Sequence, residues 1–331
     1  MNSSKFLSVT AASALALSLA ACGGSSGGDT ATEPSASGGS GGKNITLMVG
    51  VKGDPFYVSM QCGAQEAADA AGAKLSVQGP DKFDATLQNP MLDAVASSKP
   101  DALLVAPNDV KASAPPLKRI QDEGTKIVLV DTTVTDPSIG VSRIATDNNL
   151  GGQKAAEALQ QLGAKGKVLV ISTDPGVSSV DARVDGFKTK AGELGLTLAG
   201  DTQYSHNQAS TAAQITSAAL AKTPDLAGVF ATNLFTAQGV ATGVKQAGKS
   251  GKVKIVGFDA GPDQIKQLEA GDVQALVAQK PFDIGKQGVE QDLAALDGKT
   301  VTKSIETESL IVTKANMAEP DVSKYIYKSN C

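Results

Sequence analysis

Tryptophan is absent from this chain of 331 residues, and histidine occurs once, at His206. A single histidine leaves little room for a Ser-His-Asp or Cys-His relay, because any such set would have to use the same ring. Histidine and cysteine do not cluster at metal-ligand spacing, and no phosphate loop or nucleophile elbow stands between a strand and a helix. The turn after the first apolar run lacks a Gly-x-Gly-x-x-Gly fingerprint; Gly50-Val-Lys-Gly53 leads straight into Asp54-Pro55-Phe56-Tyr57. Positive charge is not in excess, with 30 Lys and Arg against 34 Asp and Glu and a net charge of −4. The signs are interspersed, so no basic stripe offers itself to nucleic acid. Outside the N-terminus no apolar run is long enough to span a bilayer. Metal or nucleophilic catalysis, nucleic-acid binding and a membrane-embedded fold all lose support together, and no cofactor is implied.

What the chain does have is a duplication. Pro100-Asp-Ala-Leu-Leu-Val-Ala-Pro-Asn108 is followed, a helix length later, by Lys126-Ile-Val-Leu-Val-Asp131. Pro224-Asp-Leu-Ala-Gly-Val-Phe-Ala-Thr-Asn233 is followed, after a similar gap, by Lys254-Ile-Val-Gly-Phe-Asp259. Short continuous apolar runs bounded by turn residues fit parallel strands buried on both faces. Ligands of open parallel sheets bind beyond the carboxyl ends of the strands. Any one strand-ending aspartate is also what a turn favours. Occurring twice, Asn108, Asp131, Asn233 and Asp259 point to a cleft shared by two similar sheets.

The N-terminus reads as a targeting segment. Lys5 precedes an apolar stretch from Phe6 to Ala20, which ends in Leu19-Ala20-Ala21-Cys22. A small-residue cleavage site after such a run marks a secretory leader rather than a spanning helix. The ending resembles the bacterial lipoprotein box, which makes 1–21 the leader and Cys22 the lipidated first residue. Residues 22–43, rich in Gly, Ser, Thr and Ala, cannot bury enough apolar surface to fold and should act as a flexible tether.

From Asn44 onward, strands alternate with helices. The pattern predicts strands at 45–50, 75–78, 101–107, 126–131 and 139–147, and later at 168–172, 196–203, 226–231, 253–259, 273–279 and 305–312. Helices are expected between them, the first opening on the Asp54-Pro55 cap. Alternation of this kind implies right-handed βαβ units. The expectation is α/β: two doubly wound parallel-sheet lobes facing each other.

Six stretches, in order, give the chain a family resemblance. They are Asp54-Pro55-Phe56-Tyr57, Thr146-Asp147-Asn148 with Gly151-Gly152, Arg183-Val-Asp-Gly186-Phe187, Phe230-Ala-Thr-Asn233, Val256-Gly-Phe-Asp259 and Ala278-Gln-Lys-Pro281. Over about residues 44–314 the chain resembles the bacterial periplasmic sugar-binding proteins of the ribose-binding type. The resemblance implies the type I periplasmic binding fold, with a three-crossing hinge near Thr146, Gln279–Pro281 and Thr307–Ser309. It implies an N-terminal lobe of 44–146 plus 281–307, a C-terminal lobe of 147–280 plus 308–317, and a tail, 318–331, returning to the N-terminal lobe.

By position, Phe56 and Tyr57 match the first lobe's aromatic pair, Asp131 and Asp259 the sugar-holding aspartates, and Asn233 and Gln279 the second lobe's amides. Three positions depart from the ribose pattern: Asp54 stands for Asn, and Thr132 and Asp181 stand where arginines occur, the latter two residues before Arg183. Losing two guanidiniums removes several rigid donors and puts ribose itself in doubt. A second-lobe aromatic should fall near 204–207, where Tyr204, His206 and Asn207 compete.

The resemblance implies no enzyme but a solute receptor that closes on a monosaccharide or polyol and delivers it to an ABC permease. A sensor signalling to a membrane receptor or kinase would use the same closed surface. A repressor-type regulator would need a DNA-binding segment before residue 44, where a leader and tether stand instead. The receptor is expected to be a monomer on the outer face of the cytoplasmic membrane, held only by the lipid on Cys22. Export also bears on the two other cysteines: outside the cytoplasm, Cys62 and Cys331 should pair and pin the tail to the first lobe.

Overall fold

The computed structural model describes residues 42–331. The leader, Cys22 and the tether up to residue 41 lie outside the described residues.

The central apolar runs become strands buried on both faces, and Asp54, Asp84, Asp147 and Asn233 cap helices that stand between strands. The first half runs β1 (Asn44–Met48), α1 (Pro55–Ala70), β2 (Lys74–Gln78), α2 (Ala85–Ser98), β3 (Ala102–Val105), α3 (Ala114–Asp122), β4 (Lys126–Val130) and β5 (Ser142–Thr146). The second continues with α4 (Asn148–Gln161), β6 (Lys167–Ser172), α5 (Ser178–Glu193), β7 (Thr197–Leu198), β8 (Gln203–Tyr204), α6 (Ala209–Lys222), β9 (Gly228–Ala231), α7 (Leu234–Gln246), β10 (Lys254–Phe258), α8 (Pro262–Ala270) and β11 (Ala275–Ala278). The chain ends with α9 (Pro281–Leu296), β12 (Ser304–Thr307), β13 (Leu310–Val312) and α10 (Pro320–Ser323).

Two sheets result. The first has six strands in the order β12-β5-β4-β3-β1-β2, all parallel. The second has seven, with the path β13-β11-β10-β9-β6-β7 and β8 also pairing β6; only β13 is antiparallel. The protein therefore has the type I periplasmic binding architecture, with two parallel-sheet lobes.

Two expected strands are interrupted. The run 196–203 becomes β7 and β8, because Gly200 turns the chain at φ +147° and each half pairs with a different stretch of β6. The run 305–312 divides at Glu308 and Ser309: β12 adds to the first sheet and β13 to the second, so the break is a passage between lobes.

Glycines let helices pack backbone to backbone. A methyl group on Gly63 of α1 would lie 1.9 Å from the Phe282 carbonyl oxygen of α9. One on Gly152 of α4 would lie 2.0 Å from the Arg183 carbonyl oxygen of α5. These contacts fix α9 against α1 and seat the turn of α5 that carries Arg183.

Candidate functional site

The duplicated strands end in duplicated backbone. Asp131, after β4, has φ +62°, and Asp259, after β10, has φ +77°. Aspartate enters this left-handed region more readily than most residues, and the turn aims both carboxylates into the gap between the sheets. Asp54 caps α1 in the first lobe, taking the Phe56 amide at 2.9 Å through Oδ1. All three carboxylates line one cleft between the two sheets. Phe56, Tyr57, Arg183, Asn233 and Gln279 line it too.

Each group is held by neighbours. The Tyr57 hydroxyl donates to Asp131 Oδ2 at 2.8 Å, and no described residue donates to Oδ1. Asp259 Oδ2 accepts the Leu234 amide at the start of α7 (2.8 Å), and its Oδ1 accepts Gln279 Nε2 (2.6 Å). Arg183, 3% exposed, donates Nε to Asn148 Oδ1 (2.7 Å), Nη1 to the Thr232 carbonyl (2.9 Å) and Nη2 to Gln279 Oε1 (3.1 Å). Its guanidinium also lies 3.8 Å from the Phe258 ring centre. Phe56 and Tyr57 meet edge to face with centroids 5.2 Å apart.

Three buried acids around one guanidinium leave an excess of negative charge. Burial, with Asp259 as the next cause, pushes Asp54 up to about 7. Burial pushes Asp131 up to about 6, against the pull of Arg183 and the Tyr57 hydrogen bond. Burial and the nearby aspartates hold Tyr57 well above the usual phenol range, so it remains a donor.

Other expected site residues stand elsewhere. Thr132 donates its hydroxyl to the Pro107 carbonyl at 2.7 Å and does not line the cleft. Asp181 accepts the Gly176 amide at 2.9 Å and steadies the loop before α5. His206 has a side chain 63% exposed and a ring nitrogen 2.5 Å from Asp174, outside the cleft. Its neighbour Asn207 enters the cleft and accepts from Asn233 Nδ2 at 2.6 Å. Asn108 is a brace, donating to the Gly50 carbonyl at 2.9 Å.

Phe83, Thr173 and Ser179 line the cleft without having been singled out. Thr173 follows β6, so the strand-end rule applied to one more strand finds it. Gly243-Val-Lys-Gln-Ala-Gly248-Lys249-Ser250 has phosphate-loop spacing, but its first glycine is inside α7 against the Ala213 carbonyl. That segment ends a helix instead of opening one and makes no phosphate cradle.

At the hinge, the Thr146 hydroxyl donates to Gln279 Oε1 at 2.7 Å, and the Asp147 amide to the Thr307 carbonyl at 3.0 Å. At the mouth the sheets' loops touch: the Val110 amide donates to the Gly176 carbonyl (3.0 Å) and the Thr133 amide to Ser178 Oγ (2.8 Å). No helix among the described residues is long and apolar enough to cross a membrane.

A family profile described as a periplasmic binding protein domain matches residues 45–300. The chain belongs to the periplasmic binding protein family. It is 31% identical over 277 residues to the ribose import binding protein of Escherichia coli strain K12, covering 82% of this chain and 90% of that one. An ABC transporter solute-binding protein from Agrobacterium vitis, solved with α-D-tagatopyranose, is 40% identical with a TM-score of 0.84, over 86% of this chain and 99% of that one. A second from the same species, solved with D-fucose, is 32% identical with a TM-score of 0.82, over 86% and 100%. These relatives of this periplasmic binding protein are sugar-binding transport proteins, not enzymes, and the family works outside the cytoplasm.

Proposed function

We propose that this periplasmic binding protein captures a monosaccharide between its lobes and delivers it to an ABC permease. The observation that carries the reading is the pair of strand-end carboxylates, Asp131 and Asp259, aimed from opposite lobes into a cleft with the Phe56–Tyr57 pair. Ionised carboxylates make strong hydrogen bonds to adjacent hydroxyls, and an aromatic ring covers the C–H face of a sugar. Thr132 and Asp181 bring no guanidinium into the cleft. The site thus suits a ligand other than ribose, and the tagatose and fucose bound by the Agrobacterium proteins are the leading chemical types.

Asp54, Arg183, Asn233 and Gln279 complete the ligand set in this reading. The lobes are 44–146 plus 281–307 and 147–280 plus 308–317. Residues 1–21 are a cleaved leader, lipid on Cys22 holds a monomer to the outer face of the membrane, and 22–43 are its tether.

A thermal-shift screen of residues 43–331 against D-tagatose, D-fructose, D-fucose, D-arabinose, D-allose and D-ribose tests the reading. A ligand at 100 times its dissociation constant adds about 2.7 kcal/mol. Asp131→Ala and Asp259→Ala should each abolish that shift and leave both lobes folded by circular dichroism. Retained affinity in either variant rejects the cleft assignment.

A further inference from the structure

The chain does not end where the two sheets are complete. After β13 it runs on through α10, and at Tyr327 it returns to the cleft from behind. The Tyr327 amide donates to the Ala260 carbonyl of the second lobe at 3.0 Å. One residue later, the Lys328 amide donates to Ser59 Oγ on α1 of the first lobe at 2.8 Å. Cys331 is then joined to Cys62, also on α1. Residues 327–331 therefore cross between the lobes once more, and this crossing is fastened covalently.

Between those anchors the Tyr327 side chain is 4% exposed. Its hydroxyl donates to Asp259 Oδ1 at 2.9 Å and accepts the Gln279 amide at 3.2 Å. Its ring meets Phe56 edge to face, 5.8 Å between centroids. One phenol thus touches three expected ligand residues from two lobes without itself lining the cleft. A buried Tyr hydroxyl needs partners, and here the partners are the residues whose aim matters.

We propose that Tyr327 is a positioning residue for the ligand site, presented by a C-terminal strap that the Cys62–Cys331 disulfide locks to the first lobe. This rests on the reading that Asp259 holds a ligand hydroxyl. Asp259 sits in left-handed backbone, and its carboxylate keeps one direction only because Leu234, Gln279 and Tyr327 each donate to it. Burial and the Asp259 charge hold the Tyr327 phenol well above its usual range, so it stays a donor at neutral pH.

The test is a double-mutant cycle read by calorimetry with the six sugars of the thermal-shift screen. Tyr327→Phe keeps the ring on Phe56 and removes the hydroxyl. It should weaken binding about tenfold, the scale of one hydrogen bond to a charged group, while the ligand-free protein stays folded with a somewhat lower melting temperature, because the buried Gln279 amide loses its acceptor. The second arm is the Cys62→Ser, Cys331→Ser double variant, in which the strap is free. There Tyr327→Phe should weaken binding by less than threefold, because the phenol is no longer held; coupled sites fail additivity in this way.

A Kd within twofold of wild type for Tyr327→Phe overturns the positioning role. An equal loss with and without the disulfide overturns the strap's part in it. Wild-type protein that binds none of the six sugars of the thermal-shift screen overturns the sugar reading, and the proposal with it, so the two failures are distinguishable.

Discussion

Asp54 and Asp131 are acids that the fold makes reluctant to ionise, at about 7 and about 6 against an ordinary value of 3.8. The sign follows from linkage. A carboxyl raised in the folded state stabilises that state below its unfolded pKa, and the contribution is lost as pH rises through the folded value. The ligand-free protein should therefore lose stability between about pH 4 and pH 7. Sugar hydroxyls donating to these carboxylates favour the ionised forms, so affinity should move the opposite way. Binding is expected to tighten about tenfold from pH 5 to pH 8, and Asp54→Asn should remove the upper part of that rise. Calorimetry across the range decides it, and a flat profile would mean that neither acid accepts from the ligand. At this scale the sequence was legible where geometry is simple. Strand-end position and duplication located Asp131, Asp259 and Asn233. Asp181 is two residues from Arg183 on one helix, roughly 200° around its axis, so the two cannot share a direction. His206 and Asn207 both have positive φ, at +52° and +53°, and that local turn sends one side chain out and the other in. Histidine and asparagine both tolerate positive φ, but residue type does not tell which of the two side chains turns inward. Tyr327 lies beyond residue 314, where the family resemblance stops, and no pattern marked it.

The strands and helices were readable because their apolar runs and caps agree with the sheet order. What could not be read is how closely the helices approach. The α4–α5 contact depends on Gly152 and Gly186, whose added methyl groups would each lie 2.0 Å from a carbonyl oxygen, of Arg183 and Asn149 respectively. Periodicity shows that such a helix has an inward face, not that backbone touches backbone there. Gly152→Ala must therefore push α5 away, and with it Arg183, whose three donors bind Asn148, Thr232 and Gln279. We expect the melting temperature to fall, by the equivalent of about 1–3 kcal/mol for an overpacked contact, and affinity to fall as well. Gly53→Ala serves as a control for site effects: its added methyl meets no atom within 4 Å, so its cost is limited to the strain of its φ of +79°. Differential scanning calorimetry and titration of both variants separate a packing defect from a local backbone one.

The whole molecule combines a tied hinge with a lightly latched mouth. Thr146, Gln279 and Thr307 join the crossings to one another at the hinge. At the mouth, hydrogen bonds from Val110 to Gly176 and from Thr133 to Ser178 exist only when the lobes are together. Few connections permit closure about a hinge, and a ligand touching both lobes biases the closed form by its differential contacts alone. Latches that do not touch the ligand act on the same equilibrium. Ser178→Ala removes one such latch at a site outside the carboxylate cluster. It should leave the ligand-free melting temperature unchanged, because the bond is peripheral to both cores. It should weaken binding about two- to tenfold, the range of one neutral hydrogen bond, with the change in the dissociation rate rather than the association rate. Stopped-flow tyrosine fluorescence, with Tyr57 in the cleft as the reporter and the sugar identified by the screen, reads both rates. An unchanged dissociation rate would mean that the mouth contacts follow closure without helping to hold it. The ligand contacts in the cleft and the hinge would then set residence time between them.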